Sequence, residues 1–215
     1  SASACRRHVI AAAILIAPFT AMAQPAPRVP VVGVLSTIPS KTAQGMQGQE
    51  AFEQGLRENG WIHGQTFRFE YRNPEGKVEQ LEALARDLVG HRVNVIVARG
   101  TPAIEAAKKA TTTIPIVMSA TGSDPVHLGF VASLARPGGN ITGSTSLTTE
   151  LSGKRVELLT ELIPGLSRVG VLWNAANPGA RRTWEETQIA ARKIGLHVQS
   201  LEVRSADDLG RAFET

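Results

Sequence analysis

Residues 93–103 read VNVIVARGTPA, an apolar run that ends near a glycine and is followed by the pair Thr101-Pro102. The run is short and rich in β-branched residues, which is typical of a buried strand. A threonine before a proline is typical of a helix start, because its oxygen accepts a backbone N–H and proline has no N–H to leave unpaired. The stretch therefore predicts a strand, a tight turn and a helix.

The same pattern recurs along the chain, where a cap residue and a proline also follow two other apolar runs, at Asp124-Pro125 and Asn177-Pro178. Strands are predicted at 31–35, 67–71, 93–98, 114–118, 141–144, 169–173 and 198–203. Helices are predicted at 45–58, 78–89, 102–110, 125–134, 151–163 and 178–194, and Ser205 with Asp208 resembles a capping box that opens another. This alternation with short connections predicts an α/β fold built from parallel sheets.

The N-terminal residues have the features of an export signal. Arg6 and Arg7 precede the apolar run 9–19, and small residues follow at Ala21 and Ala23. Pro18 interrupts the run well short of the roughly 20 apolar residues that a membrane span requires. We therefore predict a secretory signal peptide at 1–23, cleavage after Ala23, a Pro-rich leader at 24–30 and a periplasmic location.

Composition excludes several classes of protein. Without residues 1–23 the basic residues fall from 23 to 21 against 19 acidic ones, so the net charge falls from +4 to +2. No basic block stands out, so we expect no nucleic-acid partner. The single cysteine, Cys5, lies before the apolar run, which disfavours a lipid anchor and leaves the processed chain without a disulfide or a thiolate metal site.

The sequence lacks the common enzyme motifs. The chain has no phosphate-binding Gly-Lys-Ser/Thr loop, no dinucleotide Gly-x-Gly-x-x-Gly and no Gly-x-Ser-x-Gly elbow, and its five histidines are dispersed. We therefore expect no catalysis, no cofactor and no metal.

Candidate ligand-binding residues follow the predicted strands. In open parallel sheets ligands bind at the carboxyl ends of the strands, near the point where strand order reverses, and helix N-termini there attract anions. The polar candidates at that edge are Ser36, Thr37, Thr101, Ser119, Thr121, Asp124, Asn174 and Asn177. The alternative is that each merely caps its helix. Asp124 would repel a carboxylate and suits an ammonium group better.

Several segments together resemble a known family. They include VGVLS at 32–36, GTPA at 100–103, SLARPGGNITG at 133–143, LSGKR at 151–155 and VLWN at 171–174. The chain resembles the ABC transporter substrate-binding proteins of the tryptophan-type, TrpX-like family, from about residue 31 to its last residue. The long SLARPGGNITG segment followed by LSGKR is the most specific part of the match.

The resemblance implies a type I periplasmic-binding-protein fold, with two Rossmann-like α/β lobes that close on a small solute. It also implies delivery of the solute to a membrane permease driven by a cytoplasmic ATPase, and we expect a monomer. By position, Ser36, Thr101, Ser119, Thr121 and Asp124 would line the first lobe's side of the cleft, and Asn174 with Asn177 the second lobe's side.

On this plan the first lobe spans 31–150, a crossover spans 151–167, and the second lobe spans 168–215. We expect that second lobe to be incomplete, because the family has further strands there. Two other functions remain open: a ligand-sensing subunit for a membrane receptor, and an exported hydrolase using Asp124 with a hydroxyl such as Ser119. Nothing before residue 30 resembles a helix-turn-helix, which disfavours a transcription factor.

Overall fold

The computed structural model describes residues 29–214; the predicted signal peptide, its cleavage point and Cys5 lie outside this part. The strands are β1 (Val31–Ser36), β2 (Arg68–Arg72), β3 (Val95–Arg99), β4 (Ile116–Thr121), β5 (Ile141–Thr145), β6 (Arg168–Asn174) and β7 (His197–Val203). The helices are α1 (Ala43–Glu58), α2 (Leu81–Gly90), α3 (Thr101–Ala110), α4 (Ser152–Leu162), α5 (Pro178–Lys193) and α6 (Leu209–Glu214). Among the helices of the described part, none is long and apolar enough to cross a membrane.

The first sheet has five strands in the order β2-β1-β3-β4-β5, and every pair is parallel, as the sequence predicts. The chain runs outward from β1 to β2 and then returns past β1 to β3. Strand order therefore reverses between β1 and β3, where Ser36 lies opposite Arg99. This reversal is the point at which open α/β sheets bind ligands.

The two faces of the first sheet differ in composition. Leu35, Ile96 and Ala98 point to the face covered by α2 and α3, where they belong to the main hydrophobic core. Because side chains alternate along a strand, Ser36 and Arg99 point to the opposite face. That second face is covered by α1, whose Phe52 ring lies 5.7 Å from the Phe69 ring of β2.

Helix α1 covers its face incompletely. The residues of α1 that turn toward the sheet are apolar in its second half, at Phe52 and Leu56, but are Gly45, Gly48 and Gln49 in its first half. These residues add little apolar bulk, and Gly45 and Gln49 border an open space above the sheet. A cavity therefore remains beside the carboxyl edge.

The second sheet is formed by the parallel strands β6 and β7 and packs with α4 and α5. Its hydrophobic cluster is small, with Val156, Ala191 and Leu196 at its centre. We call the five-stranded sheet with its helices the first unit, and β6 and β7 with their helices the second unit. Helix α4, from the predicted crossover, belongs to the second unit because it packs against α5. Trp173 is buried, donates from Nε1 to Ser200 Oγ at 2.8 Å and stacks on Trp184.

The helix predicted at 125–134 is wrong. Asp124 Oδ1 accepts the Val126 backbone N–H at 2.8 Å, as a cap would, but the chain makes only one turn before Gly129, which has a φ of 66°. Phe130 and Val131 then enter the main core from an irregular segment. The pair Asp124-Pro125 therefore starts a single turn and not a helix. Burial of Phe130 and Val131 in the core stabilises the irregular loop that follows.

Candidate ligand-binding site

A cavity of about 390 Å³ lies between α1 and the first sheet, at the reversal of strand order. Its walls come from the ends of β1, β2 and β3, from the loops after β1 and β2, and from the first half of α1. The lining residues are Val34, Ser36, Ile38, Ser40, Gly45, Gln49, Tyr71, Arg72, Asn73, Glu75 and Arg99. Its size falls in the range of small-molecule sites.

Two residues that line the cavity, Gln49 and Tyr71, are both hydrogen-bonded to Glu53 of α1. Glu53 Oε1 accepts from Gln49 Nε2 at 3.0 Å and from the Tyr71 hydroxyl at 3.2 Å. Partial burial, reinforced by the Glu53 carboxylate, raises the pKa of Tyr71 well above its usual range. Tyr71 is therefore a neutral phenol whose proton is already directed to Glu53.

The rim of the cavity is tied together by polar side chains from two loops. Asn73 Nδ2 donates to the Ile38 carbonyl at 2.6 Å, and Asn73 Oδ1 accepts the Glu75 backbone N–H at 2.7 Å. Ser40 Oγ donates to Glu75 Oε1 at 3.0 Å. These bonds hold the loop after β1 against the loop after β2, so the rim has a defined shape.

The two arginines of the cavity differ in their partners. Arg72 forms ion pairs with Glu70 at 3.1 Å and Asp87 at 2.5 Å. The bond to Asp87, followed by that to Glu70, raises the pKa of Arg72 and outweighs the effect of burial. Arg99, at the end of β3, brings a second guanidinium to the cavity.

Of the predicted residues, Ser36 lines this cavity and Thr37 lies beside it. Ser36 Oγ accepts the Ile38 backbone N–H at 3.1 Å, so it shapes the first turn of the loop. Thr37 Oγ1 donates to the Arg99 carbonyl at 3.3 Å. A Cβ at Gly100 would lie 2.3 Å from Thr37 Oγ1. Gly100 also has a φ of 94°, which favours glycine.

Thr101 does not cap its helix as predicted, because Gly100 occupies the cap position and Thr101 is the first helical residue. The Thr101 hydroxyl lies 2.9 Å from the Thr121 hydroxyl and 3.4 Å from that of Ser123. All three side chains are buried. Gly179 of α5 covers them, since a Cβ there would lie 2.0 Å from Ser123 Oγ. This hydroxyl cluster joins the two units.

The remaining predicted residues are dispersed. Ser119 lies opposite Arg99 in the sheet and is half-buried. Asn174 Oδ1 accepts the Ala176 N–H at 2.8 Å, and Asn177 Oδ1 accepts the Gly179 N–H at 2.9 Å, which confirms Asn177 as the cap of α5. The structure therefore brings only Ser36 of the eight predicted residues into the cavity above the first sheet.

Asp124 lines a second cavity of about 360 Å³ between the two units, together with His127, Leu147, Thr149, Glu150, Arg182 and Glu186. Thr149 Oγ1 lies 3.2 Å from Thr183 Oγ1 across this junction. Leu147, where the chain leaves the first unit, has a φ of 47°. Residues 29–214 contain no group of three or more His, Cys, Asp or Glu side chains suited to a metal ion.

The predicted set omitted Gln49, Tyr71, Asn73, Glu75 and Arg99. Tyr71 is the last but one residue of β2 and Arg99 is the last residue of β3, so the rule that selected the hydroxyls at the carboxyl edge also applies to them. Gln49 belongs to the glycine-rich inward face of α1, whose spacing is visible in the sequence. Asn73 and Glu75 follow β2, a strand whose carboxyl end supplied none of the predicted residues.

The family follows from a match over nearly the whole described part. A sequence model of the family described as ABC transporter substrate binding protein matches residues 32–215. The chain belongs to this family. The resemblance drawn from the sequence is therefore confirmed, and the fold is the type I periplasmic-binding-protein fold.

Three similar proteins extend this comparison. A tyrosine-binding protein of Clostridioides difficile is 26% identical over 169 residues, which cover 79% of this chain and 48% of that protein. A conserved domain protein from Vibrio cholerae is 28% identical with a TM-score of 0.76, covering 86% of this chain and 61% of that one. An ABC domain from Streptococcus pneumoniae in complex with L-Trp is 26% identical with a TM-score of 0.73, covering 85% and 60%.

The chain thus spans about half the length of the curated relative and about 60% of the solved structures.

Proposed function

We propose that this chain acts as the solute-binding component of an ABC uptake system and binds an amino acid or a small carboxylate. The observation that carries the proposal is the cavity of about 390 Å³ at the reversal of strand order. It is bordered by guanidinium, carboxylate, amide and hydroxyl groups, which suit a small polar solute.

Membership of the family supports the proposal, as do the relatives named for tyrosine and found with L-Trp. The solute would enter at the carboxyl edge of the first sheet, and the two units would close about the segment near Leu147, which precedes the crossover. The closed form would then be recognised by a membrane permease whose cytoplasmic ATPase drives transport. No bond is broken in this function, and the chain acts as an exported monomer in the periplasm.

A thermal-shift screen of the chain without residues 1–23 tests this function. The panel contains the common amino acids, small mono- and dicarboxylates, and neutral sugars as controls for non-specific stabilisation. A solute at a hundred times its Kd stabilises the folded chain by about 2.7 kcal/mol, or roughly 5–11 °C in Tm for a chain of this length. We expect such a shift for at least one amino acid or carboxylate. A panel without any shift, or a response to sugars alone, contradicts the proposal.

A further inference from the structure

The cavity contains a second guanidinium, that of Arg99. Within residues 29–214, no carboxylate lies within 4 Å of it, and no hydrogen bond to its side chain is formed. The other arginine of the cavity, Arg72, is neutralised by Glu70 and Asp87. The cavity therefore contains one cation whose charge is not balanced by direct contact with the protein.

The position of this guanidinium is set by the sheet below it and the helix above it. Arg99 projects from the end of β3 toward α1, on the same face as Tyr71. Its Nη2 lies so close to α1 that a Cβ at Gly48 would be 2.2 Å away. The side chain is half-buried, so its charge is partly removed from water in the cavity.

A partly buried charge without a partner is unfavourable, and an opposite charge that binds there recovers the lost solvation. A guanidinium matches a carboxylate well, because its planar fork donates two parallel hydrogen bonds to the two oxygens. A phosphate dianion fits less well, since the Glu75 carboxylate lines the same cavity and would repel its second charge.

We propose that Arg99 binds the carboxylate group of the transported solute. The inference rests on the proposed function and deepens it, because it assigns the residue and the ligand group that set specificity. Tyr71 and Gln49, which line the cavity, each donate a hydrogen bond to Glu53 and so partly offset the negative charge of that carboxylate. Solutes in which the carboxylate is replaced by an amide lose the pairing with Arg99.

The test measures the binding of L-tyrosine, L-tryptophan and L-leucine, each with its amide, by isothermal titration calorimetry. The proteins are the chain without residues 1–23, its Arg99→Gln variant, and Arg57→Gln, which removes the same charge from the exposed end of α1. We expect at least one acid to bind the unaltered chain and Arg57→Gln equally. Arg99→Gln should bind that acid roughly thirty-fold or more weakly. The amide should bind weakly to all three proteins.

A second pair of variants tests the same assignment without removing the arginine. Alanine at Gly48 forces the Arg99 guanidinium to move, whereas a Cβ at Gly55 of the same helix meets nothing within 4 Å. Both variants should fold, because a long flexible side chain can shift and alanine favours helix over glycine. Gly48→Ala should weaken binding of the acid, and Gly55→Ala should leave it unchanged.

Stability separates a binding role from a structural one. Since Arg99 makes no ion pair or side-chain hydrogen bond with the rest of the described chain, Arg99→Gln should unfold at the same temperature as the unaltered chain or a higher one. Unchanged affinity in Arg99→Gln, an amide that binds as tightly as its acid, or a large loss of stability overturns the inference. Failure of all three acids overturns it too, whereas a response to another solute in the thermal screen leaves the proposed function intact.

Discussion

At the scale of single residues, Gly179 decides how closely the two units approach. A Cβ at this second residue of α5 would lie 2.0 Å from Ser123 Oγ and 3.0 Å from Thr101 Oγ1, both buried in the hydroxyl cluster. Gly179→Ala should therefore push α5 away and destabilise the chain by about 1–3 kcal/mol, as overpacking does. Urea unfolding measures the change. Gly153→Ala is the matched control, because it alters the second residue of α4, where a Cβ meets only Ala190 at 3.8 Å. If the two variants have the same free energy of unfolding, the contact between α5 and the hydroxyl cluster rearranges without loss of stability and the prediction is wrong.

At the scale of elements, the two sheets should differ in stability. Strands β1 and β3 have a neighbour on each side and a large core beneath them, whereas β6 and β7 form a two-stranded sheet over a small cluster. Two-stranded sheets are marginal without further packing. We expect amide hydrogens of β1 and β3 to exchange roughly a hundredfold more slowly than those of β6 and β7, because local opening of the two-stranded sheet exposes less apolar surface than opening of the five-stranded sheet. Hydrogen exchange with mass spectrometry measures this, and equal protection of both sheets would contradict it.

At the scale of the whole molecule, the chain belongs to a family of substrate-binding proteins and begins with a sequence typical of export. We expect the chain produced in a Gram-negative host to be recovered from the periplasm with Gln24 as its first residue, because Arg6 and Arg7, the apolar run and Ala23 satisfy the export and cleavage machinery. Mass spectrometry of the periplasmic fraction measures the N-terminus. Ala23→Phe, which places a large residue at the cleavage point, should retain residues 1–23. Recovery of the unaltered chain from the cytoplasm with its N-terminus intact would disprove the export signal.

The sequence by itself determined the order of strands and helices, the parallel sheet, the family and the cap at Asn177. Each of these depends on local chemistry, because periodic apolar residues and cap-proline pairs act over a few neighbouring positions. The prediction of a helix at 125–134 was wrong because burial of Phe130 and Val131 in the main core stabilises the chain more than a longer helix would. That balance depends on core residues that are distant in the sequence.

Only the tertiary structure decided the site. The pairing of β1 with both β2 and β3 brings Tyr71, Ser36 and Arg99 to one face of the sheet, although they are far apart in the chain. Gly45 and Gly48 then allow the Pro39 carbonyl and the Arg99 guanidinium to approach α1 closely, where a Cβ would lie 2.1 Å and 2.2 Å away, and no pattern in the strands predicts the cavity beside them. Thr101 shows the converse, since it carries the expected hydroxyl at the expected edge but is buried against Thr121. Residue type indicates which groups can bind a ligand, whereas exposure and unpaired charge arise only when separate elements pack together.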